Sequence, residues 1–90
     1  MDTKTFEANL RRDGFQEVET KTVPANFLSK PHTHEFDVHA LILEGQLTLT
    51  REGRSETYRA GQTFQMDAGC LHTEQYGQHP TTYVVGRRRK

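Results

Sequence analysis

The stretch PHTHEFDVHALILEG, residues 31–45, holds three of the five histidines of this 90-residue chain. His32 and His34 are two positions apart, so on an extended segment both imidazoles face the same side. His39 follows five positions later and leads into an apolar run that ends before Gly45. A histidine pair by itself is a weak indication of a ligand site, and its interpretation depends on the rest of the chain.

A fourth histidine, His72, lies far along the chain, just after the turn formed by residues 67–69. A distant histidine on a facing strand is a common way to complete a site. Neutral imidazole binds Zn, Fe, Ni, Cu and Mn to varying degrees. Three or four histidines without a thiolate leave coordination positions open for water or substrate, which is typical of a catalytic rather than a structural metal.

Outward from these histidines, the chain is predicted to form one short helix and then about seven or eight short strands. The helix is expected over residues 3–12, because Phe6 and Leu10 lie four apart and Asp13-Gly14 is a stop signal. The strands are expected at residues 15–23, 38–43, 46–50, 55–59, 63–66, 71–75 and 81–85. This spacing predicts an all-β sandwich or barrel, since closing the sheet removes its free edges.

Length and composition predict one domain with a thin core. The chain has 90 residues and only 32% hydrophobic residues, so it is expected to gain stability from a second copy, a ligand or a metal. We expect an N-terminal helix within residues 1–14, a β-barrel over 15–86, and a basic tail at 87–90. The alternative for the basic run is the frayed end of a last strand.

Charge and cysteine usage exclude several classes of protein. Lysine plus arginine and aspartate plus glutamate both number 12, and this balance argues against a nucleic-acid partner. The longest apolar run, Ala40 to Leu43, is too short to cross a bilayer. Cys70 is the single cysteine, and no signal peptide is visible, so we expect a reducing, cytoplasmic location.

Taken together, the two histidine-bearing stretches resemble the metal-binding motifs of the cupin family. The first motif, H-x-H followed by a third ligand and a glycine, matches His32-Thr33-His34, then His39 and Gly45. The second runs from a glycine through a proline and a second glycine to a histidine and an asparagine. Here it matches Gly61, Asp67-Ala68-Gly69, His72 and Tyr76. Asp67 stands in place of the usual proline, Tyr76 stands in place of the asparagine, and the glycine expected ahead of His32 is missing.

The resemblance implies a single jelly-roll β-barrel that holds one divalent metal ion, Fe, Mn, Ni or Zn. The implied ligands are His32, His34, His39 and His72. Counting from His34 makes His39 the third ligand, but counting back from Gly45 shifts the loop by one residue. Asp37 shares strand parity with His39 and is the competing ligand.

The resemblance leaves three functions open, because one fold serves many chemistries. The first is a metal-dependent dioxygenase, isomerase or lyase acting on a small polar organic molecule, with Tyr76 or Asp37 moving protons. The second is a non-catalytic module that binds a small ligand or a metal. The third, an empty barrel, would crowd imidazoles at a desolvation cost. A homodimer is expected by resemblance. Five aromatic residues are expected either to line the barrel mouth or to pack in the core: Phe27, Phe36, Phe64, Tyr76 and Tyr83.

Overall fold

The computed structural model describes residues 1–89 and consists of one short helix and two antiparallel sheets. Helix α1 (Thr3–Arg12) begins where the Asp2 side chain accepts a hydrogen bond of 2.8 Å from the Thr5 amide, as an N-cap residue does. Seven strands follow: β1 (Glu17–Val23), β2 (Phe36–Glu44), β3 (Gln46–Arg51), β4 (Arg54–Arg59), β5 (Thr63–Met66), β6 (Thr73–Tyr76) and β7 (Thr81–Arg89). The all-β prediction with one short helix is confirmed.

The strands form a four-stranded sheet in the order β1-β7-β2-β5 and a three-stranded sheet in the order β4-β3-β6. The last strand, β7, therefore lies between β1 and β2 and pairs with both, although these strands are distant from it in the sequence. This arrangement of two facing antiparallel sheets is consistent with a jelly-roll barrel.

The barrel interior is apolar and is built from alternate residues of the strands. On β2 the inward-facing residues are Val38, Ala40 and Ile42, and on β7 they are Tyr83 and Val85. The remaining buried members of this core are Leu47, Leu49, Phe64, Met66 and Tyr76.

A second apolar cluster lies on the outer face of the four-stranded sheet, beneath α1. Phe6 and Leu10 of the helix pack there with Phe15, with Leu41 of β2 and with Val84 of β7. Gly86 of β7 makes this close approach possible. A Cβ atom there would lie 2.9 Å from the Leu10 methyl groups and 3.0 Å from Phe15 Cβ. Strand β2 is consequently covered on both faces.

The basic run at the end of the chain is part of a strand. β7 continues through Arg89 and pairs with β2, so that Arg87 lies opposite Val38 and Arg88 lies opposite Asp37. The prediction of a basic tail is therefore wrong for residues 87–89. These residues form the end of the last strand, which was the alternative. The physical reason is that Glu17, Glu19 and Asp37 supply carboxylates to these three arginines. Lys90 lies outside the described residues.

In the described part of the chain, residues 1–89, no helix has the length and hydropathy that a membrane span requires.

Candidate metal centre

Four side chains converge where the two sheets meet at one end of the barrel. His32 and His34 lie on the extended segment before β2, His72 immediately precedes β6, and Glu74 is its second residue. One nitrogen or oxygen atom from each residue lies within 4.8 Å of those of the others. The two stretches are brought together by an antiparallel bridge in which His32 and His72 exchange backbone hydrogen bonds of 3.0 Å.

Backbone carbonyl groups fix which nitrogen of two of the rings carries a proton. His32 Nδ1 lies 2.7 Å from the Lys30 carbonyl oxygen, and His72 Nδ1 lies 3.0 Å from that of Cys70. A carbonyl oxygen can only accept, so Nδ1 must donate in both rings. The Nε2 atoms are thereby left facing Glu74 Oε2, at 3.0 Å from His32 and 3.1 Å from His72.

His34 occupies the third position around the same carboxylate oxygen. Its Nε2 lies 4.0 Å from Glu74 Oε2, and its ring stacks on Phe36 with the centroids 4.9 Å apart. Burial lowers the pKa of His34, and the charges that His32 and His72 would carry lower it further. At neutral pH this ring is a neutral imidazole, the form that binds metals.

Glu74 supplies the only carboxylate of the cluster and is held by Tyr76, whose hydroxyl donates to Oε1 at 2.7 Å. Burial of the Glu74 carboxyl raises its pKa, but the hydrogen bond from Tyr76 and the neighbouring His72 and His32 rings outweigh that effect, and the net pKa is lowered. Burial raises the pKa of Tyr76. The carboxylate is therefore ionised at neutral pH, while the phenol keeps its proton.

The cluster opens into a cavity of about 310 Å³ inside the barrel. Apolar walls dominate it, and His32, His34 and Glu74 line it together with the cations Lys21 and Arg87. All five aromatic residues expected at the mouth or in the core line this cavity, namely Phe27, Phe36, Phe64, Tyr76 and Tyr83. A small ligand in this space would lie against the cluster.

His39 is not part of the cluster, which corrects the prediction of a third histidine ligand from β2. Its ring lies under helix α1, with centroid distances of 5.0 Å to Phe6 and 5.9 Å to Phe15. Side chains alternate along a strand, and Val38 and Ala40, the residues next to His39, face the interior. His39 therefore faces outward.

Asp37, the competing ligand and proposed proton carrier, also lies on the outer face. Its carboxylate is buried and accepts from the Ala68 amide at 2.8 Å and from Arg88 Nε at 3.1 Å. These contacts make Asp37 a structural anchor outside the cavity, so neither role predicted for it fits this position. Of the two predicted proton carriers, only Tyr76 lines the cavity.

Glu74 was missed by the sequence interpretation, although a signal for it was present. It lies two positions after His72, which is the spacing that placed His32 and His34 on one face. The parity of His32 and His34 also continues through Phe36 and Val38 into the interior, and this would have placed His39 on the opposite face.

Comparison with known proteins agrees with this geometry. A family model described as a cupin domain matches residues 20–82, well over half of the chain. The chain belongs to the cupin family. No curated protein sequence matches this cupin at a significant level.

Solved structures show the same fold at low sequence identity. A cupin-2 domain protein from Shewanella frigidimarina NCIMB 400 has a TM-score of 0.67 and 19% identity, over 81% of this chain and 72% of its own. The DMSP lyase DddQ from Ruegeria pomeroyi DSS-3 has a TM-score of 0.69 and 21% identity, over 79% of this chain and 36% of its own. An oxalate oxidase has a TM-score of 0.68 and 21% identity, over 80% of this chain and 41% of its own. The cupin described here thus spans less than half of either enzyme.

Proposed function

We propose that this cupin is a metal-dependent enzyme acting on a small polar organic molecule, with the metal held by His32, His34, His72 and Glu74. The observation that carries the proposal is the approach of two Nε2 atoms to one carboxylate oxygen, at 3.0 and 3.1 Å. With Nδ1 protonated in both rings, lone pairs face one another unless a proton or a cation lies between them. Charging both rings would place two imidazolium groups with centroids 4.3 Å apart, whereas one divalent cation satisfies all the acceptors together.

The donor set fits a divalent first-row metal. Three imidazole nitrogens and one carboxylate oxygen suit Fe, Mn, Ni or Zn. The hydrogen bonds from Nδ1 to the carbonyls of Lys30 and Cys70 orient the rings, as such bonds commonly do around metal ligands. A metal bound there would supply Lewis-acid or redox chemistry.

The protein's own groups would bind the substrate, exclude water and hold one proton. The apolar walls of the cavity remove water from a bound molecule and strengthen polar interactions within it. The Tyr76 hydroxyl keeps its proton and donates a hydrogen bond to Glu74 Oε1, so Tyr76 fixes the orientation of that carboxylate. Structural likeness to a DMSP lyase and an oxalate oxidase supports enzyme chemistry on this fold without choosing a reaction.

A non-catalytic metal- or ligand-binding module is the second candidate, and one observation favours it. Among the cavity-lining residues of the described chain, Glu74 is the only carboxylate, and it belongs to the metal cluster. No second carboxylate is therefore at hand in the cavity to act as a general base. The homodimer and the cytoplasmic location stay predictions under either function.

The metal is tested by elemental analysis of protein purified without an affinity tag, followed by stripping and titration with Zn²⁺. We expect one ion per chain. Both His72→Ala and Glu74→Gln should lower zinc affinity by about a hundredfold or more, because each removes a direct ligand. The matched control is His79→Ala, which removes an exposed histidine outside the cluster. Equal loss in the control, or no stoichiometric metal in the wild type, would refute the proposal.

The choice between enzyme and binding module is tested with the metal-loaded protein. Oxygen uptake, double-bond formation and isomerisation are followed by oxygen electrode and NMR with a panel of small organic acids. Turnover that is lost in Glu74→Gln and kept in His79→Ala supports the enzyme. Saturable binding of the same acids with no chemical change supports the module.

A further inference from the structure

We infer that the cavity binds a small organic anion, with a carboxylate of the ligand held by Lys21 and Arg87 and its other end directed toward the histidine cluster. The inference deepens the proposed function and rests on it for the nature of that other end. It assigns to two basic residues of β1 and β7 the recognition of the ligand's charge.

Lys21 presents an uncommitted cation to the cavity. It lies on β1 opposite Tyr83 of β7, and both residues line the cavity. Lys21 forms no ion pair with any residue in the described range 1–89. Lys21 shares strand parity with Val23, which packs against the interior core, and the residue is exposed, so it lines the cavity from the solvent side.

Arg87 is the second cation, and it is held in place on two sides. Its side chain is 18% exposed, pairs with Glu19 at 3.3 Å, and lies 5.5 Å from the centroid of the Phe36 ring. A guanidinium group has five N–H donors in a fixed fork. One contact to Glu19 leaves donors for a ligand, and the packing against Phe36 lowers the entropy that Arg87 would lose on binding.

The electrostatic balance of the cavity favours an anion. Among the described lining residues Glu74 is the only carboxylate, so three imidazole ligands and this one carboxylate would leave a bound divalent metal with a net positive charge. Glu19 offsets the charge of Arg87, while Lys21 adds a further positive charge. A cleft of one sign with low-dielectric walls concentrates ligands of the opposite charge.

Size and wall chemistry restrict the anion further. The cavity volume of about 310 Å³ is at the lower end of the range for small-molecule sites. Apolar residues form much of the remaining wall, and they include Leu47, Leu49, Phe64 and Met66. This combination fits a short carbon chain with a carboxylate at one end and an oxygen that can meet the metal at the other.

The test uses the zinc-loaded protein and a series of linear dicarboxylates, succinate, glutarate and adipate, with butyrate as the reference. Butyrate has a single carboxylate, so it can satisfy only one end of the cavity. By calorimetry we expect at least one dicarboxylate to bind about fivefold or more tightly than butyrate, the effect of one additional ion pair. This preference should disappear in Lys21→Met and persist in Lys4→Met, which removes an exposed lysine from helix α1.

Zinc affinity is measured first in all three proteins, which separates the two proposals. If zinc binds and no dicarboxylate is preferred, or if Lys21→Met keeps the preference, the anion site is refuted and the metal site stands. If zinc does not bind, the metal proposal fails, and butyrate is compared with butyramide on the metal-free protein by NMR titration. Preference for butyrate that is lost in Lys21→Met would then support the anion site, and equal binding of the two probes would refute it.

Discussion

His39 lies in an apolar environment between α1 and the sheet, and its titration is therefore coupled to folding. Burial lowers the pKa of His39, and the nearby Asp13 carboxylate opposes this only in part. Gln65 Nε2, on the neighbouring strand, lies 3.3 Å from His39 Nδ1, and Arg88 contacts Asp13 from β7. Below the ordinary histidine pKa, the unfolded chain takes up a proton that the folded protein resists, so this histidine destabilises the fold as pH falls.

We predict that His39→Leu reduces the loss of unfolding free energy between about pH 7 and pH 5, because the variant has no proton to take up there. Urea denaturation at the two pH values measures the difference. His34 also has a lowered pKa, so part of the pH dependence remains. The control His79→Leu should behave as the wild type, and an unchanged pH dependence in His39→Leu would contradict the prediction.

Tyr76 gives a second prediction at the scale of single residues. Tyr76→Phe keeps the ring in the core but leaves Glu74 Oε1 without its donor at 2.7 Å. Groups that orient metal ligands typically contribute tenfold to hundredfold in affinity, so we expect zinc affinity to fall by about tenfold or more. Competition with a chelating dye measures the affinity. Tyr58→Phe, on β4, should leave it unchanged, and equal loss in both variants would point to a general effect on the fold.

Three of the four cluster residues were predictable from the sequence, and the fourth, Glu74, was not. His32, His34 and His72 are found by type and spacing. Counting along the motif from His34 makes His39 the third ligand, and the apolar faces of β2 give no alternation of polar and apolar residues that could correct this count. Only the parity that continues from His32 and His34 places His39 on the outer face. Glu74 resembles any surface glutamate of an alternating strand until its position beside His72 is considered.

At the scale of elements, Asp37 and Arg88 join β2, β7 and the segment after α1. Arg88 Nη2 and Nε lie 3.0 and 3.1 Å from Asp37 Oδ2, and Nη1 donates to the Asp13 carbonyl at 2.9 Å. The Asp37 side chain is 3% exposed, whereas that of Arg88 is 43% exposed. The pair therefore consists of a buried acid and a partly solvated base. Because water screens the exposed guanidinium, the attraction between the two charges is weaker than in a fully buried pair.

We predict that Arg88→Met lowers the free energy of unfolding by about 2 kcal/mol, mainly by removing the two hydrogen bonds that Arg88 donates to the buried Asp37 carboxylate. Arg89→Met is the matched control, since Arg89 pairs with Glu17 on the surface, where both side chains are about half exposed, and it should cost less than about 1 kcal/mol. Guanidinium denaturation of the two variants gives the comparison. Equal losses of unfolding free energy in the two variants would show that the burial of Asp37 does not make its ion pair more stabilising than a surface pair.

The elements themselves follow closely from local patterns. Helix α1 occupies residues 3–12 as predicted, and each expected strand has a counterpart among the seven observed. The end of β7 was the exception, because a run of charged residues predicts a solvated tail unless the opposing carboxylates are known. Those carboxylates lie on other strands, and only the tertiary pairing brings them to Arg87, Arg88 and Arg89.

At the scale of the whole molecule, the cluster of His32, His34, His72 and Glu74 connects stretches of chain about forty residues apart. His32 and His34 precede β2, and His72 and Glu74 belong to the β6 end of the three-stranded sheet. The chain has only 32% hydrophobic residues, so a bound ion that joins these two stretches would add to the stability that a thin apolar core supplies. A ligand that binds only the folded chain stabilises it by mass action.

We predict that zinc at about one hundred times its dissociation constant raises the melting temperature of the stripped protein by about 10 °C or more. Differential scanning calorimetry with and without EDTA measures the shift. The shift should be small in His72→Ala and of wild-type size in His79→Ala. A shift of the same size in His72→Ala would mean that zinc stabilises the protein elsewhere.

The double coverage of β2 also constrains how this gene can change. Inserting or deleting one codon between His34 and Val38 would exchange the two faces of β2. The residues that now line the cavity would then lie under the helix, and those now under the helix would face the cavity. We therefore expect natural variation in this segment to consist of replacement of one amino acid by another rather than of insertions or deletions. Mutational libraries intended to diversify the cavity should keep its length fixed and place insertions at the exposed β3–β4 hairpin, around Glu52 and Gly53.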